Sequence, residues 1–250
     1  MVLAPREVIS VDVPVPFETA WAHLRRPELI RRWYGWDRAD LDQDVHQVFL
    51  HEAVVQLSDS GLPMGWLRWH NHDRIDVRGG WGGATRTTIS VRRPEHALLA
   101  TYDGVRDEVD ERWTTWLHQL QYALSRHLGE DRRTFAVHGL DGERPDRLLY
   151  RLGLHGARGV PVGGAVEIHR PDGSLLGGTL EYCTAHQFGV ALRGHGGSLL
   201  VVQMVPPSSH PPNGGVNAIW STYGLDDEAL EAARGRWRAW WRAPVLARRS

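Results

Sequence analysis

Twice along this chain, a run of short strand-like segments ends in one acid-led amphipathic helix that carries Trp. Over residues 109–128, Val109, Trp113, Trp116, Leu117, Leu120, Leu124 and Leu128 lie on one stripe. The second helix begins Asp226-Asp227-Glu228 and carries Trp237, Trp240 and Trp241, with Ala229 and Ala233 on the same face. Acids in the first turn and Arg in the last suit the helix macrodipole. A helix with one apolar stripe must bury it against another layer, and the preceding strands supply a sheet.

The strands are read from alternation and turn signals. Val8-Ile9-Ser10-Val11-Asp12-Val13 alternates and stops at Pro14. Phe17, Ala20, Trp21 and Leu24 then share one face of a short helix, and Pro27 opens a second with Leu29, Ile30 and Trp33 on a face. From Val45 to Tyr102, runs broken at Asp59-Ser60-Gly61, Asn71-His72-Asp73, Gly79-Gly80 and Arg93-Pro94 predict four to six antiparallel strands.

The second half repeats this outline. Residues 78–84 align with 192–198 through their glycines, and His72 then falls on His186 and Trp69 on Cys183. Thr101-Tyr102 matches Thr222-Tyr223 across a Pro-rich insertion, residues 206–212. The order of elements argues for a duplication. The expected domains are 1–130 and 131–250, divided in the polar stretch 129–133. The second copy is abbreviated at its front, where residues 145–153 supply one helix instead of two.

Composition removes several classes. Charged residues make up 24% and hydrophobic ones 42%, so neither a disordered nor a fibrous chain fits. A net charge of -1 argues against a nucleic-acid-binding domain. All 29 basic residues are Arg, which reads as codon bias of a GC-rich, bacterial genome. The single Cys183, the lack of a secretory leader and the lack of about 18 consecutive apolar residues predict a cytoplasmic protein without a membrane span. The 12 Trp demand a core, an interface or an apolar ligand.

A Val-Pro strand end, the Phe17-Glu18-Thr19-Ala20-Trp21 helix and the segment Pro27-Glu28-Leu29-Ile30-Arg31-Arg32-Trp33-Tyr34-Gly35 together resemble the opening of the START-like (SRPBCC) superfamily. The nearest likeness is to relatives of the C-terminal domain of the activator of Hsp90 ATPase. Trp113, Leu117 and Leu120 match the last helix of that family. Arg112 stands in place of its usual Gly, and Tyr34 in place of a second Trp. The likeness covers residues 7–128 well and 134–250 weakly. It implies an α+β helix-grip fold, a curved antiparallel sheet around a long C-terminal helix with a cavity between, here in tandem.

Such a cavity would be lined by inward strand positions and one face of the 109–128 helix. Trp66, Arg68 and His70 share one strand face while Leu67, Trp69 and Asn71 share the other, and alternation leaves open which faces inward. The candidate ligand-binding residues are therefore Trp36, Trp66, Arg68, Trp69, His70, Trp81, Tyr102, Trp113, Trp116 and Leu120. The competing reading is that these Trp only fill a core or an interface between the halves.

Other motifs add no chemistry. His70-x-His72 lacks a third metal ligand, the glycine cluster at 79–83 precedes a strand rather than a helix, and no nucleophile elbow occurs. Adjacent acids sit in solvent-like or helix-starting contexts. No catalytic residue, metal or cofactor is expected, and the sequence sets no oligomeric state. The leading function is binding of a small hydrophobic or aromatic molecule. One alternative is an enzyme of the polyketide cyclase/aromatase type, with Arg68, His70 or Tyr102 as acid or base. Another is a protein-interaction module of the Hsp90-activator type.

Overall fold

The computed structural model describes residues 5–58, 61, 63–80, 85–95, 107–140, 147, 149–150, 152–169, 173, 175–194 and 196–241. The chain divides into two compact units, Met1–Glu130 and Asp131–Ser250. Each is a mixed α+β unit in which an antiparallel sheet is followed by one long helix.

In the first unit, β1 (Pro5–Val13) leads to α1 (Phe17–Arg25) and α2 (Pro27–Ile30). Next come α3 (Leu41–Val45) and a π-helical stretch, His46–Glu52. Four strands follow: β2 (Val54–Leu57), β3 (Met64–Arg68), β4 (Arg74–Gly79) and β5 (Thr87–Pro94). They are succeeded by α4 (Glu108–Arg126). The strand order is β1-β5-β4-β3-β2, so the first strand pairs with the last and β1 and β2 form the edges of the sheet.

One sequence expectation is corrected here. The strand run begins at Val54 rather than Val45, because Leu41, Val45 and Phe49 recur every four residues and put all three into the core. That spacing belongs to a helix face. The segment Pro27–Gly35 then turns back through Gly35 at φ +61°, a conformation that a side chain disfavours.

In α4, Trp113, Leu117, Leu120 and Leu124 pack on Val11, Val13, Leu67, Ile75, Val77, Ile89 and Val91 from the sheet. Asp107 caps the helix, its carboxylate accepting from the amides of Val109 and Asp110. Phe17 and Trp21 of α1 stack over the strands, where Gly65 and Gly79 leave room for them.

The second unit contains β6 (Arg132–Leu140), a 3-10 turn (His155–Gly159), β7 (Ala165–His169) and β8 (Leu175–Cys183). These are followed by β9 (Gln187–Leu192), β10 (Leu199–Val205), β11 (Gly215–Tyr223) and α5 (Asp227–Trp241). Its sheet order is β6-β11-β10-β9-β8-β7, again with the first strand paired to the last and with β6 and β7 at the edges. This unit is the shorter at its front, yet its sheet has one strand more than the first unit's described five. Leu230, Ala233, Trp237 and Trp240 of α5 pack on Phe188, Val190, Leu200, Val202 and Trp220.

Candidate functional site

In the first unit, side chains alternate across β3, and the core takes Leu67 and Trp69. Trp69 therefore reaches the space between the sheet and α4, where it meets a closed circuit of five rings. Ring centroids are 4.9 Å apart from Tyr34 to Phe49, 5.8 Å to Trp69, 5.5 Å to Trp113, 5.2 Å to Trp116 and 4.5 Å back to Tyr34. Most of these contacts are edge-on or tilted, the arrangement that the ring quadrupole favours. Trp33 adds an outer contact to Phe49 at 5.6 Å. Leu120 is fully buried in the same core. Trp116 is the half-buried member of the circuit.

The polar edges of these rings are placed by specific partners. Trp69 Nε1 donates to the Val48 carbonyl at 2.7 Å, Trp33 Nε1 to the His23 carbonyl at 2.8 Å, and Trp113 Nε1 to Asp73 Oδ2 at 3.2 Å. Arg25 donates to the Phe49 carbonyl at 2.8 Å. Two carbonyls of the π-helical stretch are thus held by side chains from other elements. The Tyr34 hydroxyl donates to Asp44 at 3.2 Å, and burial together with the Asp44 charge pushes its phenol well above the usual range.

Beneath Trp113 lies an ion network. Arg93 Nε donates to Asp73 Oδ1 at 2.9 Å, and its Nη1 reaches Asp107 at 2.8 Å and Asp110 at 2.5 Å. Arg6 joins Asp110 at 2.5 Å. Burial disfavours the Arg93 charge, but its bonds to three carboxylates outweigh that and raise its pKa. Burial would raise Asp107 as well. The Arg93 bond and the helix amides instead hold it below the usual carboxylate range.

The residues expected from sequence divide into three groups. Trp69, Trp113, Trp116 and Leu120 come together between the sheet and α4. Trp66 and Arg68 do not join them, because Leu67 takes the inward position on β3, and His70 does not because it lies exposed in the turn after β3. Trp66 instead lies under two guanidinium groups, Arg68 at 5.6 Å and Arg74 at 5.0 Å. Trp36 packs against the Arg38 guanidinium at 5.7 Å, outside the circuit. Trp81 and Tyr102 lie outside the described residues. Tyr34 and Phe49 were missed. Tyr34 sat in the Pro27–Gly35 motif as a mere substitution, and Phe49 was hidden by the strand reading of its segment.

Among the described residues, no group of three His, Cys, Asp or Glu side chains could hold a metal ion, and no helix is long and apolar enough to cross a membrane.

No protein-family model matches the chain, and no curated protein matches it. Three solved structures illustrate its structural likenesses. DynU16, a protein of the dynemicin biosynthetic locus, aligns over 96% of this chain and 95% of its own, with 14% identity and a TM-score of 0.26. The di-domain aromatase/cyclase BexL of the BE-7585A biosynthetic pathway aligns over 96% of each chain, with 11% identity and a TM-score of 0.33. XoxI from Bacillus cereus aligns over 46% of this chain and 92% of its own, with 14% identity and a TM-score of 0.29. The α+β assignment rests on the strand order, register and helix packing described above.

Proposed function

We propose that the first unit binds a small hydrophobic, flat aromatic molecule between its sheet and α4, against Trp69, Trp113, Trp116 and Leu120. The observation that carries this reading is the closed five-ring circuit. Tyr34 enters it from the turn after α2, and Phe49 from the π-helical stretch, a rare backbone form that recurs at functional sites. The other members belong to the sheet-side turn and to α4. A ligand ring that takes the place of Phe49 and Tyr34 against Trp69 and Trp116 exchanges one set of edge-to-face contacts for another.

The reading involves no covalent step. An acid–base role for Arg68 would place chemistry on the opposite face of the sheet, and one for His70 would place it in the exposed turn after β3. The direct experiment is titration of the full chain with 1,8-dihydroxyanthraquinone, followed by Trp quenching and calorimetry. Saturable binding that falls at least tenfold in Trp116→Ala, with the far-ultraviolet circular dichroism unchanged, is the expected result. Binding that Trp116→Ala and Leu120→Ala leave intact would overturn it.

A further inference from the structure

The outer face of the first sheet holds an arrangement that folding does not require. Arg68 stands directly opposite Arg74, and Arg74 directly opposite Arg92, so three arginines form one row across β3, β4 and β5. Like charges at opposed positions destabilise a sheet. Neighbouring strands lie about 4.8 Å apart, so the row spans about 10 Å.

The acids on this face compensate it unevenly. Asp76, in the adjacent row, accepts from Arg74 Nε at 2.8 Å and lies 3.7 Å from Arg92 Nε. Glu7 stands opposite Arg92 at the far edge, and Asp12 is engaged by Thr88 and Arg86. Arg68 is exposed and makes no ion pair among the described residues, and neither does the exposed Arg78. The positive charge is therefore least compensated at the Arg68 end, while Arg74 is paired with Asp76 through both Nε and Nη2.

That end also carries the aromatic residue of this face. Trp66 sits opposite Asp76, and its ring is approached by both the Arg68 and Arg74 guanidinium groups. Cation–π contact itself uses no N–H donors, so Arg68 keeps its whole fork while Arg74, bonded to Asp76 through Nε and Nη2, keeps its Nη1 group. The Arg68 fork beside Nη1 of Arg74 suits the oxygens of a tetrahedral oxyanion.

We infer that Arg68, Arg74 and Trp66 form an anion site on the outer face of the first sheet, with a phosphate group, free or esterified, as its ligand. Arg68 and Arg74 bind the oxygens. Trp66 is a positioning residue that holds the two guanidinium groups in place. Arg92 extends the row toward β1, and Asp76 keeps Arg74 in plane. The site is separate from the ring circuit, since β3 lies between them.

Calorimetric titration of the full chain at low ionic strength tests this, with inorganic phosphate in one arm and phenyl phosphate in the other. Saturable binding in either arm is expected, and the stronger arm distinguishes the free anion from the ester. Arg68→Ala and Arg74→Ala should each weaken binding at least tenfold. Trp66→Leu should weaken it severalfold, while Arg193→Ala, an exposed arginine of the second unit, leaves it unchanged. Circular dichroism controls for folding, and the exposed Arg68→Ala carries the test if Trp66→Leu fails to fold. Four results would overturn the site: no saturable binding in either arm, equal affinity for Arg68→Ala and the parent, equal loss in Arg193→Ala, or binding of a single-stranded oligonucleotide without binding of either phosphate.

Discussion

Trp113 and Asp73 join the ring circuit of the first unit to its ion network through one hydrogen bond, indole Nε1 to carboxylate Oδ2 at 3.2 Å, with both residues buried. On its other oxygen, Asp73 accepts from Arg93, which in turn holds the carboxylates at the start of α4. The ring circuit is therefore fixed in register with the helix start, and Asp73 is the side chain shared by both.

Removing that carboxylate should cost far more than removing the indole donor. Asp73→Ala leaves Arg93 with one buried partner fewer and is expected to destabilise the chain by about 3 kcal/mol or more. Trp113→Phe keeps the ring but loses the donor, an expected loss of about 1 kcal/mol. Urea unfolding of both variants checks the order. Equal losses would mean that the network does not depend on Asp73.

Stability should fall with acid through His118 before the carboxylates titrate. Burial pushes this imidazole down to about 4 from an ordinary 6.5, with only its contact to Gln121 acting the other way. Between these pH values the unfolded chain binds a proton that the folded one refuses, so stability declines as pH drops from 6.5 toward 4. The ceiling for this residue is about 3 kcal/mol. His23, lowered chiefly by burial, acts in the same direction. A His118→Gln variant should show a flatter stability profile across this window in denaturant titrations. An unchanged slope would contradict the assignment.

The glycine at residue 65 should resist any side chain. A Cβ there would meet the Trp21 ring at 2.8 Å and Leu57 at 3.0 Å. Gly65→Ala must displace the Phe17–Trp21 stack, an expected cost of about 1–3 kcal/mol. Near-ultraviolet circular dichroism should report the altered Trp21 environment. A spectrum and midpoint identical to the parent's would show that α1 does not bear on this strand.

In the second unit, Trp237 contacts Trp220 at 5.8 Å, Trp240 at 5.9 Å and Trp241 at 5.0 Å. Trp237→Ala should cost about 3–5 kcal/mol. Hydrogen exchange should register the loss first in β9, β10 and β11, whose amides lie under α5. Undiminished protection there would mean that α5 is dispensable to its sheet.

Periodicity made the strongly patterned elements legible. The stripe of α4 as far as Leu124, the Trp face of α5 and the alternation in β1 each follow from one repeat, and the structure places them accordingly, whereas Leu128, read as the end of that stripe, lies beyond the helix and is exposed. The segment at 41–52 was not legible because its three core residues are spread over two helical forms, with polar residues and His46 between them. The orientation of β3 was undetermined for a different reason. Trp66 and Trp69 fall on opposite faces, and both faces of that strand carry large and polar residues. Only pairing with β4 and contact with α4 decide between them. The ring circuit drew on four separate segments, which no local pattern connects.

In both sheets the first strand pairs with the last. Pro5 pairs with Pro94 in the first unit, and Arg132 pairs with Tyr223 in the second. During synthesis, each opening strand leaves the ribosome long before its partner does. Neither sheet can be completed until nearly the whole unit has emerged, and such non-local pairing is slow to form. The exposed strands of an unfinished unit are the stage most open to association with other chains. The last strand of each sheet is therefore the element that gives the waiting first strand its partner and ends this stage.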